Sequence, residues 1–138
     1  MSNGTVQNPL SLVLTLKSGT SPTSLKLPLT ASPQAGAGPV TILHFAWLIH
    51  LGGNKVLLTT VYDGDFDAYL DAFIDADPQS FNSALPFLEG APPPPITDPA
   101  NRAAFHKFVR DNNISPLTNF FSAYPNMTVI KVLRCEQS

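Results

Sequence analysis

The chain has 138 residues, 43% of them hydrophobic, which suits a single domain (residues 1–138) with its own apolar core. Eight basic and ten acidic residues give a formal net charge of −2, and the basic residues are scattered, so we expect no nucleic-acid partner. A single cysteine, Cys135, without a Cys/His cluster around it excludes an internal disulfide and a zinc site. The absence of a basic leader and of a membrane-length apolar run predicts a cytoplasmic protein that does not insert into membranes.

Alternating apolar residues predict three strands in the first half of the chain. Leu10 to Lys17 carries a leucine at every even position, as expected of a strand with one buried face. Residues 18–40 are rich in proline and glycine, which argues against a long helix there. The second and third strands, Thr41–Leu51 and Lys55–Tyr62, flank Gly52-Gly53-Asn54, a cluster typical of a hairpin turn.

The two faces of the second strand differ in size and polarity. Its odd positions are all large and apolar, so we expect this face to pack on helices. The even positions carry smaller residues together with His44 and His50, and we expect this face to line a pocket.

Helical spacing begins after Asp65, a predicted N-cap, and apolar residues then recur on one face from Phe66 to Ile74. A second helical segment is predicted from Gln79 to Leu88. After a proline-rich linker, Asp98 followed by proline predicts the start of a third helix, which ends near residues 111–113.

Met127 to Arg134 alternates again and predicts a fourth strand. The predicted fold is therefore α+β: a ferredoxin-like plait with a four-stranded antiparallel sheet and helices on one face. The other face of such a sheet is exposed to solvent, and a second copy of the chain commonly buries it. We therefore expect a homodimer.

Several short segments together resemble markers of the dimeric α/β-barrel superfamily in small bacterial proteins. These segments are His44-Phe-Ala46, Val61-Tyr-Asp-Gly64, Tyr69-Leu-Asp-Ala-Phe73, Ser122-Ala-Tyr-Pro125 and Thr128-Val129. The resemblance implies that two ferredoxin-like sheets enclose a barrel in which ligands bind. It also implies a range of activities, from cofactor-free monooxygenases, isomerases and cyclases to haem peroxidases, and fold alone does not choose among them.

The candidate catalytic residues are His44 as a general base, with Tyr62 and Asp63 near the pocket mouth. His50 lies about 20 Å further along the strand and is expected to be exposed. The alternating acids after Asp63 superficially resemble a calcium loop, but Ala68 stands where that loop needs glycine, so no metal site is predicted.

Five further residues are expected to contact a small aromatic or polyketide-like ligand: Ala46, Leu48, Thr60, Tyr124 and Arg134. No cofactor is expected in this interpretation. An alternative is a haem-binding, peroxidase-like protein in which His106 or His44 is the axial ligand. A third is a ligand-sensing domain without catalysis, and the three stay open from the sequence.

Overall fold

The structure is a computed structural model that describes residues 6–25, 42–76, 78–118 and 120–137. The strands β1 (Gln7–Thr15), β2 (Leu43–Gly52) and β3 (Lys55–Asp63) form an antiparallel sheet in the order β1-β3-β2. The predicted hairpin between β2 and β3 is confirmed, and its turn needs glycine because Gly52 and Gly53 have φ angles of 105° and 56°. Residues 26–41, for which the sequence predicts no helix, lie outside the described ranges.

The helices predicted after the hairpin are also confirmed. They are α1 (Phe66–Ala76), α2 (Pro78–Ala84), which continues into a 3₁₀ turn at Leu85–Phe87, and α3 (Pro99–Asn112). The side chain of Asp65 accepts a hydrogen bond from the Ala68 amide at 3.1 Å, and that of Asp98 accepts one from the Ala100 amide at 3.0 Å. Both acids therefore act as the predicted caps. Among the described residues, no helix is both long enough and apolar enough to cross a membrane.

The last described element is a helix, α4 (Val129–Gln137), so the prediction of a fourth strand at Met127–Arg134 is wrong. The outer edge of β1, where an added strand would pair, already accepts backbone hydrogen bonds from other segments of the chain. The Ile114 amide donates to the Ser11 carbonyl, and the Glu89 amide donates to the Thr15 carbonyl, each at 2.8 Å. With this edge occupied, the described residues form an α+β fold with three strands.

The core lies between the helices and the even-numbered residues of the sheet. Buried apolar side chains of β1 and β3 meet those of α1 and α3, among them Leu10, Leu12, Leu14, Val56, Tyr69, Phe73, Ile74, Phe105 and Val109. Ala46 and Leu48 of β2 stand beside Thr60 and Leu58 in the ladder, so the even face of β2 continues this helix-packed face.

The expectation that the odd face of β2 packs on helices is consequently wrong from Phe45 onward, whereas Leu43, which opposes Tyr62, does pack against the core. Phe45, Trp47, Ile49 and Leu51 are 64%, 49%, 39% and 51% exposed. From Phe45 to Ile49 strand alternation separated the two groups correctly, but the helices lie on the side of the smaller residues. The sheet thus presents large apolar side chains on the face away from its helices.

Candidate functional site

The face of the sheet opposite the helices is called here the open sheet face. Its apolar members are Phe45, Trp47, Ile49 and Leu51 of β2, Val13 of β1, and Leu57 and Val61 of β3. At one end Lys55 donates to Thr15 Oγ1 at 2.5 Å, across the same face. Contiguous exposed apolar surface of this kind is typical of a binding or assembly surface.

A hydrogen-bonded His–Asp pair lies at the other end of β2 and β3. His44 Nε2 is 2.6 Å from Asp63 Oδ1, and each side chain is only 9% exposed. A β-bulge precedes this contact, since Leu43 opposes Tyr62 whereas Phe45 opposes Val61. The bulge inserts His44 as an extra residue, and bulges commonly redirect a side chain in this way.

The C-terminal segment covers this pair from the side of the open sheet face. Asp63 Oδ2 accepts a hydrogen bond from the Val129 amide at 2.8 Å, at the start of α4. Gln7, which opposes Asp63 in the ladder, donates from Nε2 to the carbonyls of Tyr124 and Met127 at 3.1 and 2.9 Å. Because Gln7 and Asp63 occupy odd positions, residues 124–129 lie over the end of the open sheet face.

The pair has the arrangement of a base and its orienting carboxylate. An ionised carboxylate only accepts hydrogen bonds, so the proton of the contact is on His44 Nε2. In neutral imidazole the other nitrogen, Nδ1, is then the acceptor, and it makes no hydrogen bond to any described residue. His44 and Asp63, predicted separately as catalytic, are therefore brought together with a nitrogen left to accept a proton.

Tyr62, the third predicted catalytic residue, lies on the other face of the sheet. Its ring stacks on that of Tyr69 with centroids 4.2 Å apart, and it is buried under the helices. Burial raises the pKa of Tyr62, and the nearby carboxylates of Asp65 and Asp67 raise it further. Tyr62 is a core residue, separated from His44 Nδ1 by the sheet.

Ala46 and Thr60, predicted to contact ligand, line a cavity inside the core. Its volume is about 30 Å³, which is near that of a single water molecule and far below that of an aromatic ligand. Tyr69 Oη donates to Thr60 Oγ1 at 3.2 Å, and burial raises the pKa of Tyr69 strongly despite that bond. Thr60 is buried in the core, whereas Ala46 is half-buried and also lines an open groove at the β2 edge.

The remaining predicted ligand contacts are dispersed. Leu48 lines an open groove at the β2 edge together with Trp47 and His50, and His50 Nε2 lies 2.9 Å from the Gly53 carbonyl. The Tyr124 side chain is 70% exposed, while its carbonyl helps to cover the His–Asp pair; Arg134 is exposed on α4. Only Tyr124 therefore lies next to the pair.

His106 belongs to an ionic cluster between α1 and α3. Its Nδ1 and Nε2 are each 2.9 Å from a carboxylate oxygen, of Asp67 and Asp71 respectively. Arg110 bonds the same Asp67, and Arg102 bonds Asp71. Partial burial raises the Asp71 pKa, but hydrogen bonds from His106 and Arg102 outweigh it, so the pKa is lowered.

The residues around His106 do not fit haem. Both ring nitrogens are already held by carboxylates, so neither is free to coordinate iron. Within the described ranges, no group of three or more histidine, cysteine or acidic side chains is arranged to bind a metal ion.

Comparison with protein-family models, with curated proteins and with solved structures found no match to this chain. The sequence did not predict a role for Gln7, whose side-chain amide holds the C-terminal segment over the His–Asp pair by hydrogen bonds. Nothing in the sequence indicates this role, because its two acceptors are backbone carbonyls more than a hundred residues away.

Proposed function

We propose that the protein is a homodimer of the dimeric α/β-barrel type that binds a small aromatic or polyketide-like compound on the open sheet face. In this proposal His44 removes a proton from the bound compound without a cofactor. The observation that carries the proposal is the His44–Asp63 pair at the end of an exposed apolar sheet, where Nδ1 bonds to none of the described residues. A hydrogen-bonded carboxylate that orients histidine is a recurring feature of general bases.

The arrangement of the sheet supports the proposed assembly. The order β1-β3-β2, with antiparallel neighbours, is that of the first three strands of a ferredoxin-like plait. The exposed side chains on the face without helices would be covered if a second sheet faced the first. A chamber between two such faces would be mostly apolar, which suits an aromatic compound.

In the proposed chemistry, a C–H or O–H bond of the ligand breaks and its proton moves to His44 Nδ1. The bond electrons stay on the ligand, and Asp63 stabilises the resulting imidazolium. Return of the proton to another atom gives isomerisation, and attack of the anion within the same molecule gives cyclisation. Oxygenation would require dioxygen as a co-substrate.

A ligand-sensing domain without catalysis is the second candidate, and one observation favours it. Asp63 holds the Val129 amide at the start of α4 as well as His44, so the pair also anchors the C-terminal segment. A ligand that displaced this segment from the open sheet face would change the protein's surface without any reaction.

Assembly is tested by sedimentation velocity from about 0.1 to 100 μM, a range that brackets common dimer affinities. The wild type should dimerise, and the double variant F45S/I49S should shift towards monomer because the contact surface becomes polar. The control is V132S, which changes an exposed apolar side chain on α4 instead of the sheet. A wild type that stays monomeric at every concentration contradicts the proposal.

Binding and chemistry are tested with two probes. Trp47 is the only tryptophan, so quenching of its fluorescence by 1-naphthol reports binding at the open sheet face. Deuterium incorporation into 2-tetralone in D₂O, followed by NMR, reports proton removal. We expect the wild type to accelerate incorporation and H44Q to bind 1-naphthol without this acceleration. Binding without acceleration by the wild type would favour the sensing domain.

A further inference from the structure

A long exposed segment follows α3. We call residues 115–118 and 120–126 the C-terminal arm. Three of its large apolar side chains are mostly exposed: Leu117, Phe121 and Tyr124 are 105%, 83% and 70% exposed, whereas Phe120 is half-buried. Single exposed apolar residues are common on protein surfaces, but three in one short segment are typical of a segment that packs on another surface.

The arm is longer than its attachment points require. It leaves the sheet where the Ile114 amide donates to Ser11 and returns where the Val6 amide donates to the Pro125 carbonyl. Ser11 lies in β1 and Val6 directly precedes this strand, five residues away, which is about 17 Å at strand rise. The chain from Ile114 to Pro125 can extend to about 36 Å. The arm therefore has enough length to reach beyond its own β1 edge.

The arm also carries no charge. Residues 115–126 contain no acidic or basic side chain in a chain with 18 of them. Packing the arm on an apolar surface would thus remove no charged group from water, and this lowers the cost of association. The open sheet face is an apolar surface on the same chain, with Lys55 at its far end.

We propose that the arm of each copy packs on the open sheet face of a second copy, reciprocally. This inference rests on the dimer proposed above and specifies which segment of each copy contacts the sheet of the other. In a face-to-face dimer with its two-fold axis parallel to the strands, β1 of one copy lies over β2 of the other. An arm that leaves the β1 edge then reaches the partner's β2, where Trp47 is half-exposed.

Interface area supports the use of the arm. A sheet of three strands of nine or ten residues is about 30 Å long and about 14 Å wide, which is about 400 Å² of face. A stable interface buries about 800 Å² on each partner. The sheet alone supplies about half of that area, and the exposed arm is the adjacent apolar surface that can supply the rest. Each arm would also close one side of the proposed ligand chamber.

The test measures how accessible Trp47 is to a quencher, because an arm packed on the open sheet face should shield this side chain. Acrylamide quenching of Trp47 is measured over a dilution series, beside sedimentation velocity. In the wild type, protection should increase with protein concentration. In L117S/F121S the protein concentration at which Trp47 is half-protected should rise at least about tenfold. Burying one large apolar side chain strengthens the dimer affinity by about that factor. The matched control I130S/V132S changes two exposed apolar residues of α4 and should leave the midpoint within about threefold.

Each other outcome overturns the inference in a recognisable way. A dimer whose midpoint is the same in L117S/F121S means that the sheets associate without the arm, and the proposed function survives. Protection that does not depend on concentration but is lost in the variant means that the arm covers its own sheet. A monomer with exposed Trp47 at every concentration contradicts both proposals. Because Leu117 and Phe121 are exposed, circular dichroism should show an unchanged fold in the variant.

A cross-linking experiment places the contact directly. In a C135S background, a tagged L117C copy is mixed with an untagged I49C copy and treated with a short thiol-reactive cross-linker. The mixed dimer should form in much higher yield than when I49C is replaced by S83C, at an exposed position on α2. Equal yields with I49C and S83C would contradict arm exchange.

Discussion

Replacement of Asp63 by alanine should destabilise the protein by about 3 kcal/mol. The Asp63 carboxylate accepts hydrogen bonds from His44 at 2.6 Å and from the Val129 amide at 2.8 Å. Both side chains of the pair are nine-tenths buried, so water does not readily replace the lost acceptor. Removing one partner of a buried, charge-assisted contact costs about 3 kcal/mol or more, which for a chain of this size lowers Tm by about 10 °C.

The measurement is thermal and urea unfolding of wild type, D63A and D63N by circular dichroism. D63N keeps one oxygen for the Val129 amide and should lose about half as much stability. The control is D111N, whose carboxylate is 54% exposed and pairs with Lys107 within α3, a contact that contributes less than about 0.5 kcal/mol. In D63A, hydrogen exchange of the Val129 amide should also become much faster. If D63A shifts Tm no more than D111N does, the pair does not stabilise the C-terminal segment.

The Y69F variant should lose about 1 kcal/mol, because Thr60 is left buried without its donor, whereas T60V/Y69F should recover part of this loss. Urea midpoints of the three proteins decide between these outcomes, and equal stability of Y69F and wild type would contradict the assigned bond. Below pH 4 the D71N variant should lose stability less steeply than wild type. The lowered pKa of Asp71 means that its contribution is present above the unfolded-state pKa, about 3.9, and is lost as pH falls through the folded-state value. Urea titrations between pH 5 and pH 2 test this; because Asp71 is half-exposed the effect should be small, and identical slopes would contradict it.

Local signals in the sequence predict the elements from the hairpin to α3. Gly52 and Gly53 adopt the positive φ angles that their turn requires. Asp65 and Asp98 accept amide hydrogen bonds within the first helical turn. These features depend on residues within three or four positions of one another, so the sequence contains their physical cause.

Which sheet face carries the helices was decided by the tertiary structure. Both faces of β2 are apolar enough to be buried, so alternation separates the two sets of residues without choosing between them. The choice comes from register. Ala46 and Leu48 align with Thr60 and Leu58, and β1 continues that face with its leucines. Register between distant strands depends on chain crossings that short-range spacing does not report.

The C-terminal segment shows the same division between sequence and tertiary structure. Eight residues from Met127 to Arg134 alternate as a strand would, yet they also carry apolar residues at helical intervals, and a window this short does not distinguish the two periods. Because the outer edge of β1 is already hydrogen-bonded to other segments, a fourth strand does not pair there, and these residues form the helix α4. The sequence by itself determined the hairpin, the caps, the helices after the hairpin and the choice of His44 and Asp63 as candidates. Only the tertiary structure brought those two side chains together, because a contact across two strands and under a distant segment has no local cause.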